Sequence, residues 1–262
     1  MKVFLFAIIQ TYENANVKRG QMKQLLLHKI RLSYYFIILF VIFALIVIFV
    51  PHVKFDSGAL TLFSVNSFLY GFYISPILGA QKTRVEELHK IVRSESNAIF
   101  AMIIGLAKLP KALRESIKDM FVDYLKSCVK QRKSGEGEEK YEALIQYCLN
   151  YKGLYKEDID KLLDKIVTNQ ANRTNFAMQM NNKVFSNEWM IVLMLFTVTL
   201  SFILLLDTGD NFIYKILAAL LSTSLGMLLV ILAKMTTLTH KKAKQIWDPY
   251  KKLIETRFYR ID

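Results

Sequence analysis

Uncharged residues gather in four long blocks along an otherwise charged chain. They are Leu32–Val50, Ser57–Ala80, Trp189–Leu206 and Ile216–Ala233, of 19, 24, 18 and 18 residues. Crossing a hydrocarbon core takes about 20 helical residues at about 1.5 Å rise each. Each block therefore predicts a membrane-spanning helix, and their spacing pairs them into two hairpins.

Between the hairpins the pattern changes to a helical period. Val85, Leu88, Ile91, Val92, Ile99, Met102, Ile103 and Leu106 recur at close to 3.6 residues and predict a helix over Arg84–Leu109. Leu109-Pro110 interrupts it, because a residue before proline avoids the helical region. Lys111–Lys130 resumes, with Leu113, Ile117, Met120, Phe121, Tyr124, Leu125 and Val129 on one face, and Ser134–Glu139 is a polar break read as a loop. Tyr141–Tyr151 and Tyr155–Val184 predict further helices, with the charged run Lys156–Lys165 as a solvated face. No useful length alternates as a strand would. The predicted fold class is an all-α membrane protein, with four transmembrane helices in two hairpins flanking a helical cytosolic domain. Its segments are 1–31 (cytosolic or interfacial), 32–80 (first hairpin), 81–187 (helical cytosolic domain), 188–236 (second hairpin) and 237–262 (basic amphipathic tail).

Charge adds an orientation. Of 262 residues, 35 are Lys or Arg and 22 are Asp or Glu, a net charge of +13. The two short loops inside the hairpins hold two basic and three acidic residues, and the rest of the chain holds 33 and 19, net +14. Lys and Arg stay on the cytosolic side of a membrane, so the reading is a multi-pass protein of the cell membrane with both termini cytosolic. The apolar run Val3–Ile9 has the look of a signal peptide, but no small-x-small cleavage site follows it. It is read as an uncleaved segment at the interface or on the cytosolic domain. In the tail, Ile246, Trp247, Tyr250, Leu253, Ile254 and Phe258 oppose Lys241, Lys242, Lys244, Lys251, Lys252 and Arg257, the pattern of an interfacial or subunit-packing helix.

Enzyme chemistry has little support. Cys128 and Cys148 lack redox or metal spacing and read as reduced, half-buried helix residues. The four histidines are scattered, and no phosphate-cradling loop, nucleophile elbow or zincin motif occurs. The expectation is a protein that is not an enzyme and uses no metal or cofactor.

Span 2 differs from its neighbours. Over Ser64–Gly79 it carries Asn66, three serines, two tyrosines, Gly71, Gly79 and Pro76, where a lipid-facing helix would be plainly apolar. Ser64, Phe68 and Phe72 follow i, i+4, i+8 on one face, and Pro76 continues it. A phenylalanine column among small residues suits a hydrophobic constriction that gates by dewetting, or else ordinary packing of aromatics in a bundle. Asn66, Gly71 and Gly79 are candidates for close packing of that helix.

At these residues the chain resembles a family. Ser67-Phe-Leu-Tyr-Gly-Phe-Tyr-Ile74 is similar to the Ser-Phe-x-x-Gly-Phe-Tyr-Val neck of the second span of bestrophin channels. A looser likeness runs through Arg84-Val-Glu-Glu, Glu95, Leu109-Pro110, Tyr124 and Arg173, toward the bestrophin-like bacterial membrane proteins. The resemblance implies a homo-oligomer, a pentamer or a tetramer, in which each subunit lends span 2 to a central pore with Phe68 and Phe72 in its neck. Ser64 stands where the family has a large aliphatic residue and Val65 where it has proline, which implies a shorter collar. The acidic calcium cluster after the last span has no counterpart here, so calcium gating is not implied.

Two readings of the basic inner face stay open. One is the positive-inside bias with attraction to anionic membrane lipids. The other is a vestibule for a cytosolic polyanion, a nucleotide or short nucleic acid, since symmetry multiplies each lysine. Lys82, Arg84, Lys90, Arg93, Lys241, Lys242 and Lys244 are the candidate contacts in either case. Membrane effectors of bacterial anti-phage systems share this size and plan. Three function classes follow: a channel, a non-conducting scaffold or signalling partner, and a transporter, which would need a matching break in the second hairpin. The resemblance implies anion selectivity, whereas Asp56, Asp207 and Asp210 at the far mouth favour cations.

Overall fold

The computed structural model describes residues 30–130, 137–209, 211–240, 243 and 245–255. The helices are α1 (Leu32–Phe49), α2 (Ser57–Gly105), α3 (Lys111–Lys130), α4 (Glu138–Asn150), α5 (Lys156–Asn181), α6 (Ser186–Leu205), α7 (Phe212–Thr236) and α8 (Asp248–Glu255). Single 3-10 turns occupy Leu106–Lys108 and Gln245–Trp247. Among the described residues there is no strand, only an isolated bridge between Val53 and Leu206. Among the described residues four helical segments are long and apolar enough to cross a membrane, and the chain is an all-α, multi-pass membrane protein. It divides into two compact units: the chain up to Gln81 with Val184–His240, and Lys82–Lys183 with the chain from Lys241.

In the first unit the helix ends follow local chemistry. Val50 precedes Pro51 and is extended (φ −82°, ψ 137°), which stops α1. Asp56 Oδ1 accepts the Ala59 N–H at 2.7 Å and starts α2. Glu188 reaches back to the Phe185 N–H at 2.9 Å, half of a capping box, and starts α6. Asn211 Oδ1 accepts the Ile213 N–H at 3.0 Å and starts α7. The two hairpin loops are tied by Val53, whose N–H donates to Leu205 O at 2.7 Å and whose carbonyl accepts from Asp207 N–H at 3.1 Å. Gly209 takes φ +60° in the turn between α6 and α7, a conformation cheap only for glycine.

Helix α1 packs chiefly on α7, and Gly226 allows the approach. A Cβ there would lie 3.2 Å from a Leu39 methyl and 3.5 Å from the Phe43 ring. This is the close small-residue contact expected where lipid supplies no hydrophobic drive between helices. A second core joins α2, α6 and α7 through Tyr70, Ile74, Ile77, Val192 and Leu232. Lys234, near the end of α7, is buried and donates to Ile30 O at 2.7 Å.

In the second unit the helical stripe becomes the core. Leu88, Val92, Ile99, Ile117, Phe121, Leu125, Leu144, Ile159 and Ile166 are fully buried. Each such side chain contributes about 1.5–3 kcal/mol relative to exposure. Leu109, before Pro110, is extended (φ −87°, ψ 153°) and separates the turn after α2 from α3. Glu157 and Asp158 lie in the first turn of α5, where carboxylates complement the helix dipole.

Two features add to the reading of the sequence. The predicted second span and the predicted helix over Arg84–Leu109 join into one helix, α2, which runs through residue 80 to Gly105 with Pro76 inside it. Proline deletes one helical hydrogen bond, and the lone Gly79 after it costs only about 1 kcal/mol, too little to end the helix. The described part of the tail, residues 245–255, packs on the second unit. Ile246, Tyr250 and Leu253 are buried within the second unit, where the segment meets α2 through Tyr250 on Glu95 and Ser96 on Pro249 O, and α5 through Trp247 on Phe176. The expectations for residues 1–29, the 131–136 part of the polar loop, Asp210, Lys241, Lys242, Lys244 and residues 256–262 lie outside the described residues.

Candidate functional site

The first part of α2 presents two unlike faces. One carries Asn66, Tyr70, Ile74 and Ile77 into the packing of the first unit. Asn66 Nδ2 donates to Thr199 Oγ1 at 2.8 Å and to Leu195 O at 3.2 Å, fastening α2 to α6. The opposite face carries Ser64, Phe68, Phe72 and Pro76, all exposed in the single chain. Phe68 and Phe72 are 69% and 72% exposed, their rings stacked with centroids 6.0 Å apart and planes 19° apart. The Ser64 hydroxyl is satisfied by Leu60 O at 2.9 Å. Pro76 has no N–H to give the Phe72 carbonyl, one turn earlier on the same face. Gly71 and Gly79 also face open space, since a Cβ on either would meet no atom within 4 Å.

The candidate basic contacts do not behave alike. Lys82 and Arg93 are exposed. Lys90 pairs with Glu87 at 2.7 Å in the same helix. Arg84 is 2% exposed, with Nε on Gln179 O at 2.7 Å and Nη2 on Met180 O at 3.0 Å. These are last-turn carbonyls of α5 without helical donors, so its guanidinium caps a helix rather than facing solvent.

The densest polar chemistry lies in the second unit, around Glu95. Its carboxyl is 1% exposed and accepts from Tyr124 on one oxygen and from Tyr250 at 2.5 Å on the other. Asn169 Nδ2 lies 3.5 Å from it and donates to Tyr141 Oη at 3.1 Å, while Tyr141 donates to Ile166 O at 2.7 Å. Arg173, 4% exposed, pairs through Nη2 with Glu138 at 2.5 Å. Its guanidinium stacks 3.9 Å from the Tyr141 ring centroid and 4.9 Å from that of Tyr124. Beside it, Glu95, Tyr124, Arg173, Trp247 and Tyr250 border a cavity of about 30 Å³.

Burial pushes the Glu95 carboxyl upward, against the pull of the Tyr124, Tyr250 and Asn169 donors and the Arg173 charge. Burial, and then the Glu95 charge, push the Tyr124 and Tyr250 phenols well above their ordinary range, so both remain donors. The cluster joins α2, α3, α4, α5 and α8 around a group that can hold a charge or a proton.

Glu95, Tyr124 and Arg173 carried the looser family likeness, yet their convergence was missed, as were Glu138, Tyr141, Asn169 and Tyr250. A local signal existed. Glu95 interrupts the stripe Leu88, Val92, Ile99, and Asn169 and Arg173 continue the stripe Ile159, Leu162, Ile166 at three- and four-residue steps. Polar residues on a buried stripe need partners.

Comparison with protein families matches residues 36–238 to the bestrophin-like domain. No curated protein and no solved structure shows a match.

Proposed function

The chain belongs to the bestrophin-like family, and on that footing we propose that it is one subunit of an oligomeric ion channel lined by the first part of α2. The observation that carries this is the outward column of Phe68 and Phe72 on a helix face otherwise rich in small or polar residues. Ordinary lipid contact does not call for Ser64, Gly71, Pro76 and Gly79 beside two phenylalanines. In a ring of five or four copies the column forms a hydrophobic neck that dewets when closed. Asn66, bonded to Thr199, sets the rotation of the helix, and Gly71 and Gly79 let neighbouring copies approach closely.

Both termini and the second unit lie in the cytosol of the cell, by the distribution of Lys and Arg. The net +14 of that side attracts anionic lipid and gives a ring of subunits a field suited to a polyanionic ligand, a nucleotide or short nucleic acid, that gates the pore. A role in anti-phage defence fits that plan. The deciding experiment is the current through the full chain in a planar bilayer. Phe68→Ala and Phe72→Ala raise leak current if the neck is correct, and unchanged conductance in both removes the assignment.

A further inference from the structure

The C-terminal end of the described chain is seated on a group that can change its charge. Tyr250 and Leu253 are buried, Trp247 meets Phe176 edge-on with centroids 5.4 Å apart, and Ser96 Oγ donates to Pro249 O at 3.4 Å. Tyr250 closes over Glu95, donating at 2.5 Å. We propose that residues 245–255 form a latch whose docking is coupled to protonation of Glu95, so that acid holds the segment down and alkali loosens it.

The argument begins with solvent. With the segment docked, the carboxyl is 1% exposed and its charged form is denied water. Undocking removes Tyr250 and Trp247 from its surroundings and returns water to it. The groups facing Glu95 are Tyr124 and Cys128 on α3, Tyr141 on α4, Asn169 and Arg173 on α5, and Tyr250 on α8, with Glu138 of α4 paired to Arg173. Three of them donate to the carboxylate and Arg173 attracts it, but Glu138 occupies part of the Arg173 charge. Burial outweighs them and the carboxyl is pushed upward while docked. The docked state therefore binds the proton more tightly than the open state, and by linkage a falling pH favours docking. A phenol both donates and accepts, so either form of Glu95 fits the docked geometry. The coupling does not depend on ion conduction.

Trp247 is the native reporter. The full chain in lipid nanodiscs, with Trp189→Phe removing the other of its two tryptophans, is titrated from about pH 4 to about pH 9. The expected result is a single sigmoidal red shift of Trp247 emission as pH rises, with a parallel rise in acrylamide quenching. Glu95→Gln abolishes the titration and keeps the blue-shifted, protected signal throughout. Tyr250→Phe keeps the ring but loses the hydroxyl, and it displaces the midpoint. A flat Trp247 signal, a shift of opposite sign, a titration that survives Glu95→Gln, or an undisplaced midpoint in Tyr250→Phe overturns the latch. If Glu95→Gln does not fold, the parent titration and the Tyr250→Phe midpoint still decide.

Discussion

Glu95→Ala tests whether the second unit depends on its buried polar centre. The substitution strands the Tyr124 and Tyr250 hydroxyls, which have Glu95 as their partner. Each orphaned donor costs about 1–3 kcal/mol, and each lost methylene adds about 0.8 kcal/mol. Asn169 keeps its bond to Tyr141 and adds little. Allowing for water entering the space, the total is about 3–6 kcal/mol. Glu95→Gln keeps the volume and one acceptor oxygen, and either phenol can accept from the amide, so it costs about 1–2 kcal/mol. The measurement is amide hydrogen exchange in α3 and α5 of the full chain in lipid. At about 1.4 kcal/mol per decade, Glu95→Ala speeds the slowest amides by about 10²–10⁴ and Glu95→Gln by about tenfold. Since the carboxyl is raised from its ordinary 4.5, the wild-type unit is most protected in acid. Protection declines as pH climbs from that value through the raised one, and Glu95→Gln removes the slope. Exchange in Glu95→Ala within threefold of wild type, or a glutamine as damaging as alanine, refutes the reasoning.

Other consequences follow from the first unit and the thiols. Asn66→Ala loses both Asn66 bonds from α2 to α6, to Thr199 Oγ1 and Leu195 O, but leaves Thr199 on Leu195 O at 2.9 Å. It should therefore lower stability in a detergent unfolding titration by only about 0.6–1.7 kcal/mol. Gly226→Ala needs Leu39 to yield by a few tenths of an ångström and is nearly tolerated. Gly226→Leu overpacks α1 against α7 and costs about 1–3 kcal/mol or more in the same titration. Burial pushes the Cys128 thiol up to about 12 and the Cys148 thiol up to about 11. Maleimide at neutral pH should therefore label neither in the native protein and both after denaturation; rapid native labelling would contradict their burial.

Much of the architecture was legible from local pattern. Four uncharged blocks, a helical period through Val85–Leu106 and the break at Leu109-Pro110 are each read from one contiguous stretch of chain, and the observed helices follow them. The Glu95 cluster was legible only as an anomaly, a carboxylate on an apolar stripe. Its partners stand at sequence separations of 29 for Tyr124, 74 for Asn169 and 155 for Tyr250. No local rule predicts such meetings, because they depend on how five helices are laid against one another.

The division between the two levels is physical. Solvent transfer and helix geometry act residue by residue, so the sequence alone determined that this is a helical membrane protein with charge sorted by segment. It also determined that span 2 carries phenylalanines among small and polar residues. Tertiary structure decided which polar residues found partners. It committed Arg84 to the end of α5, turned Phe68 and Phe72 outward while fastening Asn66 inward, and seated the tail on Glu95. A buried polar group is tolerated only where another element brings a donor or acceptor to it, and that arrangement exists only once the chain has folded.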